Sequence, residues 1–400
     1  MDKTEIKTEQ IAERHQTKDW YDKSYKLLLI LPAIALLFSI IYLVNFYNAN
    51  GDIIRKDVSL TGGTTITVFD SKTDINQLTA ALKEKLPDAE VRQLSDIRTG
   101  GQKGFFIETK EDAQKTKSAL EGYLGYSLTE ENSSIEFAGA SLSSGFYQQL
   151  RNSVFTAFIL MGCVVFLIFG QSWIMKGVAL MLSGASTKLL IPGAPTIVAF
   201  SLGLITIGFL MSIFMGKPKK GKDLWIISSA IISSILIFSF SSNEIFALVL
   251  QLILLAIYTI YSVPSIAVIL CAFADIIMTL VVVDITGVTL SSAGVIAFLM
   301  LIGYSVDTDI LLTSRVMKKQ EGTINERVFG AFKTGLTMSL TALASVGVSL
   351  WIVYDLSGTL RQIFTILLIG LLFDIFNTWI TNASLIKWYA EAKHKHETHR

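Results

Sequence analysis

The chain has 400 residues, of which 51% are hydrophobic and 17% charged, and its mean hydropathy is +0.53. A globular protein in solution is less apolar than this, so the composition excludes a soluble protein and indicates a polytopic membrane protein. The formal net charge of +1 gives no sign of a nucleic-acid partner. The only cysteines, Cys163 and Cys271, lie in apolar runs, so we expect two small core residues rather than a disulfide or a metal site.

The amino-terminal region predicts a cytoplasmic tail followed by a retained membrane span. Residues 1–26 carry many charges of both signs, and an apolar run begins at residue 27. About 20 apolar residues suffice to cross the hydrocarbon core, so a first span is predicted over 27–47. The polar start is too long and too acidic for a secretory signal peptide.

Residues 48–152 differ from the rest of the chain because they contain no apolar run long enough to span a membrane. Strand-like stretches alternate there with two amphipathic helical stretches, which predicts a small α+β domain of ferredoxin-like type. Since it lies between the first and second spans, we expect it outside the cytoplasm. The predicted strands are 64–69, 104–108 and 134–137, and the predicted helices are 75–85 and 113–124.

From residue 153 onward the chain is almost entirely apolar. Basic loops at 217–222 and 315–327 and a basic tail at 387–400 are all expected in the cytoplasm by the positive-inside rule. The stretch 173–191 is less apolar and contains two lysines. The basic loops can all lie in the cytoplasm only if this stretch also crosses the membrane. Ten spans with both termini cytoplasmic result, or nine if 173–191 lies in the interface. The candidate spans after the first are 154–171, 173–191, 194–215, 224–241, 245–262, 265–284, 289–308, 334–353 and 362–385.

Charges inside these apolar runs are the main functional signal. Asp307 and Asp309 lie at the carboxyl end of the run 289–308, and Lys333 lies at the start of the next apolar run. A carboxylate at membrane depth costs about 2.5–3.5 kcal/mol on insertion scales, so it needs a partner or a function. The arrangement predicts a proton or ion relay in a helix bundle.

The two aspartates are not equivalent. Residues two apart on a helix point about 200° apart, so one of them should face the bundle and the other the cytoplasmic water. We take Asp307 as the first relay candidate and Asp309 as the second. The alternative is that both are solvated residues at a helix end, paired with Arg315, which we expect to anchor a loop at the membrane surface.

Other polar residues lie deeper in their spans. Asp275 is in the middle of the run 265–284, where a lone carboxylate would stay protonated or pair with a base. It is a further relay candidate, and a structural hydrogen bond is the alternative. Asp374 is also mid-span, and Asn377 and Asn382 follow it. These three residues could form polar contacts that hold helices together, or they could take part in transport, and the sequence favours neither alternative.

Five strings in chain order resemble the SecF family of protein-export membrane proteins, in its archaeal form. They are DVSLTGGT at 57–64, YSVPS at 261–265 followed by ADI at 274–276, LIGYSVDTDIL at 301–311, KTGLTMSLT at 333–341, and DIFNTW at 374–379. The resemblance covers about three quarters of the chain. It also implies that Gly62 and Gly63 permit the turn into the first strand.

The resemblance implies a bundle of the resistance-nodulation-division (RND) type, with six spans and the soluble domain in the first outside loop. The region 172–262 departs from this pattern, because about four additional crossings intervene before the remaining bundle at 263–386. The charges also depart from it: bacterial members have one Asp in the Tyr-Ser string and an Arg in the next span. Here Asp307, Asp309 and Lys333 stand in that region.

The resemblance further implies a function in the cell membrane. With SecD, such a protein uses the proton or cation gradient to promote preprotein translocation through a SecYE-type translocon. We expect SecD, that translocon, the preprotein and membrane lipid as partners, and neither a cofactor nor an enzymatic reaction. An RND-type exporter of lipids or small molecules and a passive translocon scaffold are the alternatives.

Overall fold

A computed structural model describes residues 24–95, 101–190, 244–318, 322–354 and 358–398. Most of the predicted tail 1–26, the predicted spans 194–215 and 224–241, and the basic loop 217–222 lie outside the described residues.

The apolar runs form long helices. Within the described residues, six stretches are long and apolar enough to cross a membrane: Ser24–Asn50, Gly145–Phe169, Val263–Ile285, Ser292–Lys318, Ile324–Val353 and Gly358–His394. Each contains or overlaps a predicted span. The helices are α1 (Ile30–Asn50), α5 (Ala140–Phe169), α6 (Trp173–Leu190), α7 (Glu244–Tyr261), α8 (Val263–Ile285), α9 (Ser292–Lys318), α10 (Ile324–Val353), α11 (Gly358–Phe376), a π-helix (Asn377–Asn382) and α12 (Ala383–Thr398).

The predicted spans 173–191 and 245–262 correspond to α6 and α7, which are helical but not among those six stretches. They pack against each other and against α5 and share an apolar core that includes Phe166, Leu182 and Leu254. The inserted region therefore contributes a helix pair to the side of the bundle.

The domain between α1 and α5 is a four-stranded antiparallel sheet with strand order β2-β3-β1-β4. Two helices cover one face, and Ile66, Leu78, Phe105 and Leu120 form the core between them. All five predicted elements are present. In chain order the elements are α2 (Val58–Thr61), β1 (Gly63–Val68), α3 (Ile75–Lys85), β2 (Glu90–Ser95), β3 (Gln102–Thr109), α4 (Ala113–Leu124) and β4 (Ser133–Ala138).

The sequence did not reveal β2. This strand lies at the edge of the sheet, pairs only with β3, and has no buried residue among those described. An edge strand with one paired side does not need the alternation of apolar residues that marks a half-buried strand.

The sheet domain is hydrogen-bonded to the loop that joins α8 and α9. Leu290 donates its N–H to the Arg55 carbonyl at 2.6 Å, and Asp57 donates its N–H to the Leu290 carbonyl at 3.1 Å. Ser292, the first residue of α9, donates its N–H to Ser59 Oγ at 3.0 Å. The segment that precedes β1 is thus held against the ends of two bundle helices.

The two glycines at the start of β1 have backbone conformations that suit a glycine. Gly62 has φ +83° and Gly63 has φ +138°, both in the region that favours glycine. A Cβ on Gly63 would lie 2.2 Å from the Thr109 carbonyl oxygen, so no side chain fits there. The turn into the first strand requires a glycine at this position.

Candidate functional site: a carboxylate cluster inside the bundle

Asp275 lies in the middle of α8 and is completely buried. Asn377 donates Nδ2–H to its Oδ1 at 2.7 Å, and Ser305 of α9 donates its hydroxyl to its Oδ2 at 2.6 Å. Both carboxyl oxygens therefore have a hydrogen-bond donor, and the two donors come from different helices. Asp275 joins α8 to α9 and to the π-helix.

Asp309 is also completely buried, in the second half of α9. Its Oδ1 accepts hydrogen bonds from Asn382 Nδ2 at 2.7 Å and from Thr378 Oγ1 at 2.9 Å. Its Oδ2 is buried without a hydrogen-bond partner among the described residues. A buried carboxyl oxygen without a partner can carry a proton or accept a hydrogen bond from a water molecule.

A single hydroxyl connects Asp309 to Asp374. Thr378 Oγ1 lies 2.9 Å from Asp309 Oδ1 and 3.1 Å from Asp374 Oδ1. A hydroxyl has one proton to donate, so it can serve only one of these two oxygens as a donor. For both contacts to be hydrogen bonds, the other carboxyl must itself carry a proton and donate it to Thr378. The geometry thus fits a cluster that holds at least one titratable proton.

The last span reaches this site through an irregular turn. Residues Asn377–Asn382 form a π-helix between α11 and α12. In a regular α-helix Asn377 and Asn382 would point about 140° apart. The wider turn brings both amides into the cluster, where they bind Asp275 and Asp309. Such π-turns within helices are frequent at functional sites.

The structure places Asp309, rather than the first candidate Asp307, on the buried face of α9. Asp307 is exposed on the side of α9, whereas Asp309 is buried in the bundle. The helix also continues to Lys318, so neither residue lies at a helix end. Ser305, Asp309 and Thr313 are four residues apart and share the buried face. That spacing of polar residues was the signal that could have selected Asp309.

The predicted basic residues do not join the cluster. Lys333 is exposed on α10, and Arg315 donates Nη1–H to the Gly330 carbonyl at 2.7 Å, which ties the end of α9 to α10. The expected anchoring of a loop by Arg315 at the membrane surface stays a prediction. Its contact is with another helix, and the described residues show no pairing of Arg315 with Asp307 or Asp309. In the part of the chain that the structure describes, the cluster partners are amides, hydroxyls and carboxyls. No group of three or more His, Cys, Asp or Glu side chains among those residues is arranged to hold a metal ion.

Comparisons with known proteins agree with this architecture. Residues 215–392 match the family model described as "Protein export membrane protein SecD/SecF, C-terminal". The protein-export membrane protein SecF of Methanocaldococcus jannaschii is 30% identical over 375 residues, which cover 92% of this chain and 96% of that relative. The chain belongs to the SecF family.

Other SecF proteins match over shorter regions. The one from Methanolacinia petrolearia is 46% identical over 156 residues, 38% of this chain and 55% of its own length. The one from Methanothermobacter thermautotrophicus is 50% identical over 135 residues, 33% of this chain and 47% of its own length. The chain thus matches about half the length of these two relatives. The long alignment with the M. jannaschii protein leaves only about 8% of this chain outside it, so it includes much of the region 172–262.

A solved structure shows the same fold. The crystal structure of SecDF, a translocon-associated membrane protein from Thermus thermophilus, aligns with a TM-score of 0.51 over 92% of this chain and 38% of that one. The sequence identity is 12%, so the likeness concerns the fold alone.

Proposed function

We propose that this SecF-family protein promotes protein export across the cell membrane, together with SecD and driven by the proton or cation gradient. Three observations support the proposal: the family membership, the bundle of membrane-spanning helices, and the carboxylate cluster inside it. SecD, a SecYE-type translocon, the preprotein and membrane lipid are the proposed partners. No catalytic reaction is part of the proposal.

The relay residues that we propose are Asp275 and Asp309, with Asp374 as a third member. The observation that carries this assignment is the hydroxyl of Thr378, which lies within hydrogen-bond distance of two buried carboxyls and has one proton to donate. A proton or cation that enters would change the hydrogen bonds between α8, α9 and the π-helix. One charge that crosses 100 mV supplies about 2.3 kcal/mol, which is enough to shift the balance between two packing arrangements.

Movement of these helices would reach the sheet domain directly. Asp275 is on α8 and Asp309 on α9, and the loop between these helices is bonded to residues 55–59. We propose that this connection moves the sheet domain, on the side of an emerging polypeptide, when the cluster changes its protonation. The order of elements in that domain is that of a ferredoxin-like fold, which we propose for it.

Asp307 and Lys333 remain relay candidates of a different kind. Both are exposed on the side of the bundle, so they would need a second chain to enclose them. We propose that this side faces SecD, because a transporter bundle of this type has two related halves. The count of nine or ten spans and the cytoplasmic location of both termini also stay predictions.

The test measures preprotein export into membrane vesicles that contain this chain and its SecD partner, with an imposed proton gradient and without one. We expect Asp309→Asn and Asp275→Asn to remove the acceleration by the gradient while the complex still assembles. Glu130→Gln, at an exposed carboxylate of the sheet domain, is the control for the change of a carboxylate to an amide. If both cluster variants keep the acceleration, the relay assignment is wrong. If neither gradient nor substitution matters while assembly still depends on this chain, the protein is a scaffold.

A further inference from the structure

A cleft opens at the end of the bundle farthest from the sheet domain. It forms where the turn between α5 and α6 meets the turn between α7 and α8, under α12. The first part has a volume of about 440 Å³, and a second part of about 160 Å³ shares three lining residues with it. The shared residues are Gln171, Ser262 and Tyr389, so the two parts are continuous.

The cleft is basic. Lys318 and Lys393 line its second part, and Lys176, one turn into α6, is close enough to Lys318 for the two ammonium groups to repel each other. Within the described residues, none of these three lysines forms an ion pair with a carboxylate. The nearby Glu391 is engaged elsewhere: it accepts a hydrogen bond from the Tyr25 hydroxyl at 2.7 Å and lies 3.9 Å from Lys387 Nζ.

Two of the lysines are held in place by aromatic rings rather than by acids. Lys176 Nζ lies 4.9 Å from the centre of the Trp173 ring, and Lys318 Nζ lies 5.6 Å from that of Phe169. A cation–π contact orients an ammonium group without neutralising it. The positive charge at the cleft is therefore fixed in position and available to an anion.

Helix termini add to this charge. Both α6 and α8 begin at the cleft, at Trp173 and Val263, and the first N–H groups of a helix form a partial positive charge. The hydroxyl of Tyr389 and the amide of Gln171 have no hydrogen-bond partner among the described residues and line the cleft. A tetrahedral oxyanion matches this set of donors better than a planar carboxylate, because donors approach it from several sides.

The rim of the cleft is apolar and exposed. Of the lining residues, Ile260 is 74% exposed and Val263 is 42% exposed, and Trp173, which follows the lining residue Ser172, is 74% exposed. A headgroup in the cleft would place its hydrocarbon chains along these side chains. Basic pockets between membrane helices on the cytoplasmic side are known to suit phosphate headgroups.

We propose that this cleft binds the phosphate of an anionic membrane phospholipid. The lipid would join Lys176 of the inserted region to Lys318 and Lys393 of the bundle, where like charges from the two parts of the chain lie close together. This gives part of the region 172–262 a function, namely to complete a lipid site that the bundle alone would supply with only two lysines.

The experiment uses the full chain purified in detergent and titrated with short-chain phosphatidylglycerol, with short-chain phosphatidylcholine and with inorganic phosphate, read out by native mass spectrometry. We expect phosphatidylglycerol to bind in preference to phosphatidylcholine. The triple variant Lys176→Gln, Lys318→Gln, Lys393→Gln should bind phosphatidylglycerol about 10- to 100-fold more weakly. The matched control, Lys72→Gln, Lys83→Gln, Lys110→Gln, removes three exposed lysines from the sheet domain and should bind like the wild type.

Two further variants keep the test valid if the triple variant misfolds. Lys393→Glu changes a single exposed side chain and should weaken phosphatidylglycerol binding, whereas Lys393→Arg should preserve it. Equal binding by the wild type and both the triple and Lys393→Glu variants would overturn the proposal. Displacement of the lipid by inorganic phosphate at equal concentration would also overturn it, because the site would then be one for free phosphate.

Discussion

At the residue scale, the buried face of α9 determines which acid belongs to the site. Ser305 binds Asp275, and Asp309, one turn farther along, binds Thr378 and Asn382. Asp307 lies between them in sequence and points to the opposite side. Residues two apart on a helix point about 200° apart, so only one of the two acids can face the cluster. The packing of α9 against its neighbours determines that this acid is Asp309.

Among the uncharged residues of the cluster, we expect Thr378 to have the largest effect on export. Thr378→Val keeps the shape of the side chain and removes the group shared by Asp309 and Asp374. We expect the gradient-dependent part of export to fall about tenfold or more, because the proton loses its bridge. We also expect a loss of about 1–3 kcal/mol in the free energy of unfolding, as buried acceptors lose a donor. Vesicle export with and without a gradient, together with thermal unfolding, measures both.

The control for that variant is Thr341→Val in α10. Its hydroxyl donates to the Thr337 carbonyl of the same helix at 2.7 Å and is exposed. Export should not change in this variant. A Thr378→Val protein with a full response to the gradient would contradict the proposed bridge.

Glu108 makes the stability of the sheet domain depend on pH. Burial raises its pKa to about 7, with smaller contributions from Arg92, which lowers the pKa, and from Asp57 and Glu90, which raise it. The folded domain therefore holds a proton that the unfolded chain, with a pKa of 4.5, releases earlier. Because the folded state binds this proton more tightly, the contribution of Glu108 to stability is highest below pH 4.5 and decreases as the pH rises through 7.

We expect Glu108→Gln to remove this decrease. At pH 8 the variant should exceed the wild type by roughly 2 kcal/mol in the opening free energy of β3, and at pH 4 the difference should be small. Hydrogen exchange of the peptide Gln102–Thr109 in the full chain measures this quantity. Glu130→Gln, at an exposed residue, should follow the wild type at both values of pH. The same pH dependence in the Glu108→Gln and wild-type proteins would show that another group is responsible.

At the element scale, close packing around the π-helix positions the site. Gly335 of α10 lies against the indole of Trp379, where an added Cβ would be 2.5 Å from the ring. Trp379 is the third residue of the π-helix, two positions after Asn377. The glycine therefore allows α10 to approach the turn that carries the amides of the cluster.

Two substitutions in the same helix test this contact. Gly335→Ala should reduce the free energy of unfolding by about 1–3 kcal/mol, because the rigid ring has to move. Gly347→Ala introduces the same methyl group 3.8 Å from the nearest atom, a Leu368 methyl, which is an ordinary contact. It should be neutral or slightly stabilising, since alanine favours a helix more than glycine does. Thermal unfolding in detergent compares the two, and an equal effect of both would contradict the packing interpretation.

The connection between the sheet domain and α9 is the second feature at this scale. Ser59 accepts the N–H of Ser292 at 3.0 Å and donates to Asp57 Oδ1 at 2.6 Å. Ser59→Ala should increase hydrogen exchange in the loop between α8 and α9. It should reduce the gradient-dependent part of export while export without a gradient stays the same. Ser134→Ala, at an exposed residue of β4, is the control. If export retains its full dependence on the gradient, movement does not reach the sheet domain through this bond.

At the scale of the whole molecule, the described bundle has an inserted helix pair on one side and exposed polar residues on another. Helices α6 and α7 pack on α5, and the basic cleft forms where their ends meet α8, α9 and α12. Asp307 and Lys333 are exposed without an ion pair among the described residues, which fits the proposed contact with SecD. The proposed lipid site and the proposed SecD contact involve different residues, so their tests are independent.

Much of this organisation could be predicted from the sequence. Long apolar runs can only be helices in a membrane, since backbone polar groups must be satisfied within the segment. Alternating strand and helix patterns predicted five elements of the sheet domain, and the positive φ angles at Gly62 and Gly63 fit the expected glycine turn. Asp275 was selected by its depth in an apolar run, and it is completely buried.

The tertiary structure alone decided which groups meet. The side of α9 that is buried depends on the neighbouring helices, and periodicity does not fix the choice between Asp307 and Asp309. The π-helix at Asn377–Asn382 has no local sequence signature, because the wide turn is stabilised by side-chain contacts to α8 and α9. The sequence thus determined where charges enter the membrane. Packing determined which of them join one hydrogen-bonded cluster, since hydrogen bonds of about 3 Å between distant residues exist only after the helices have assembled.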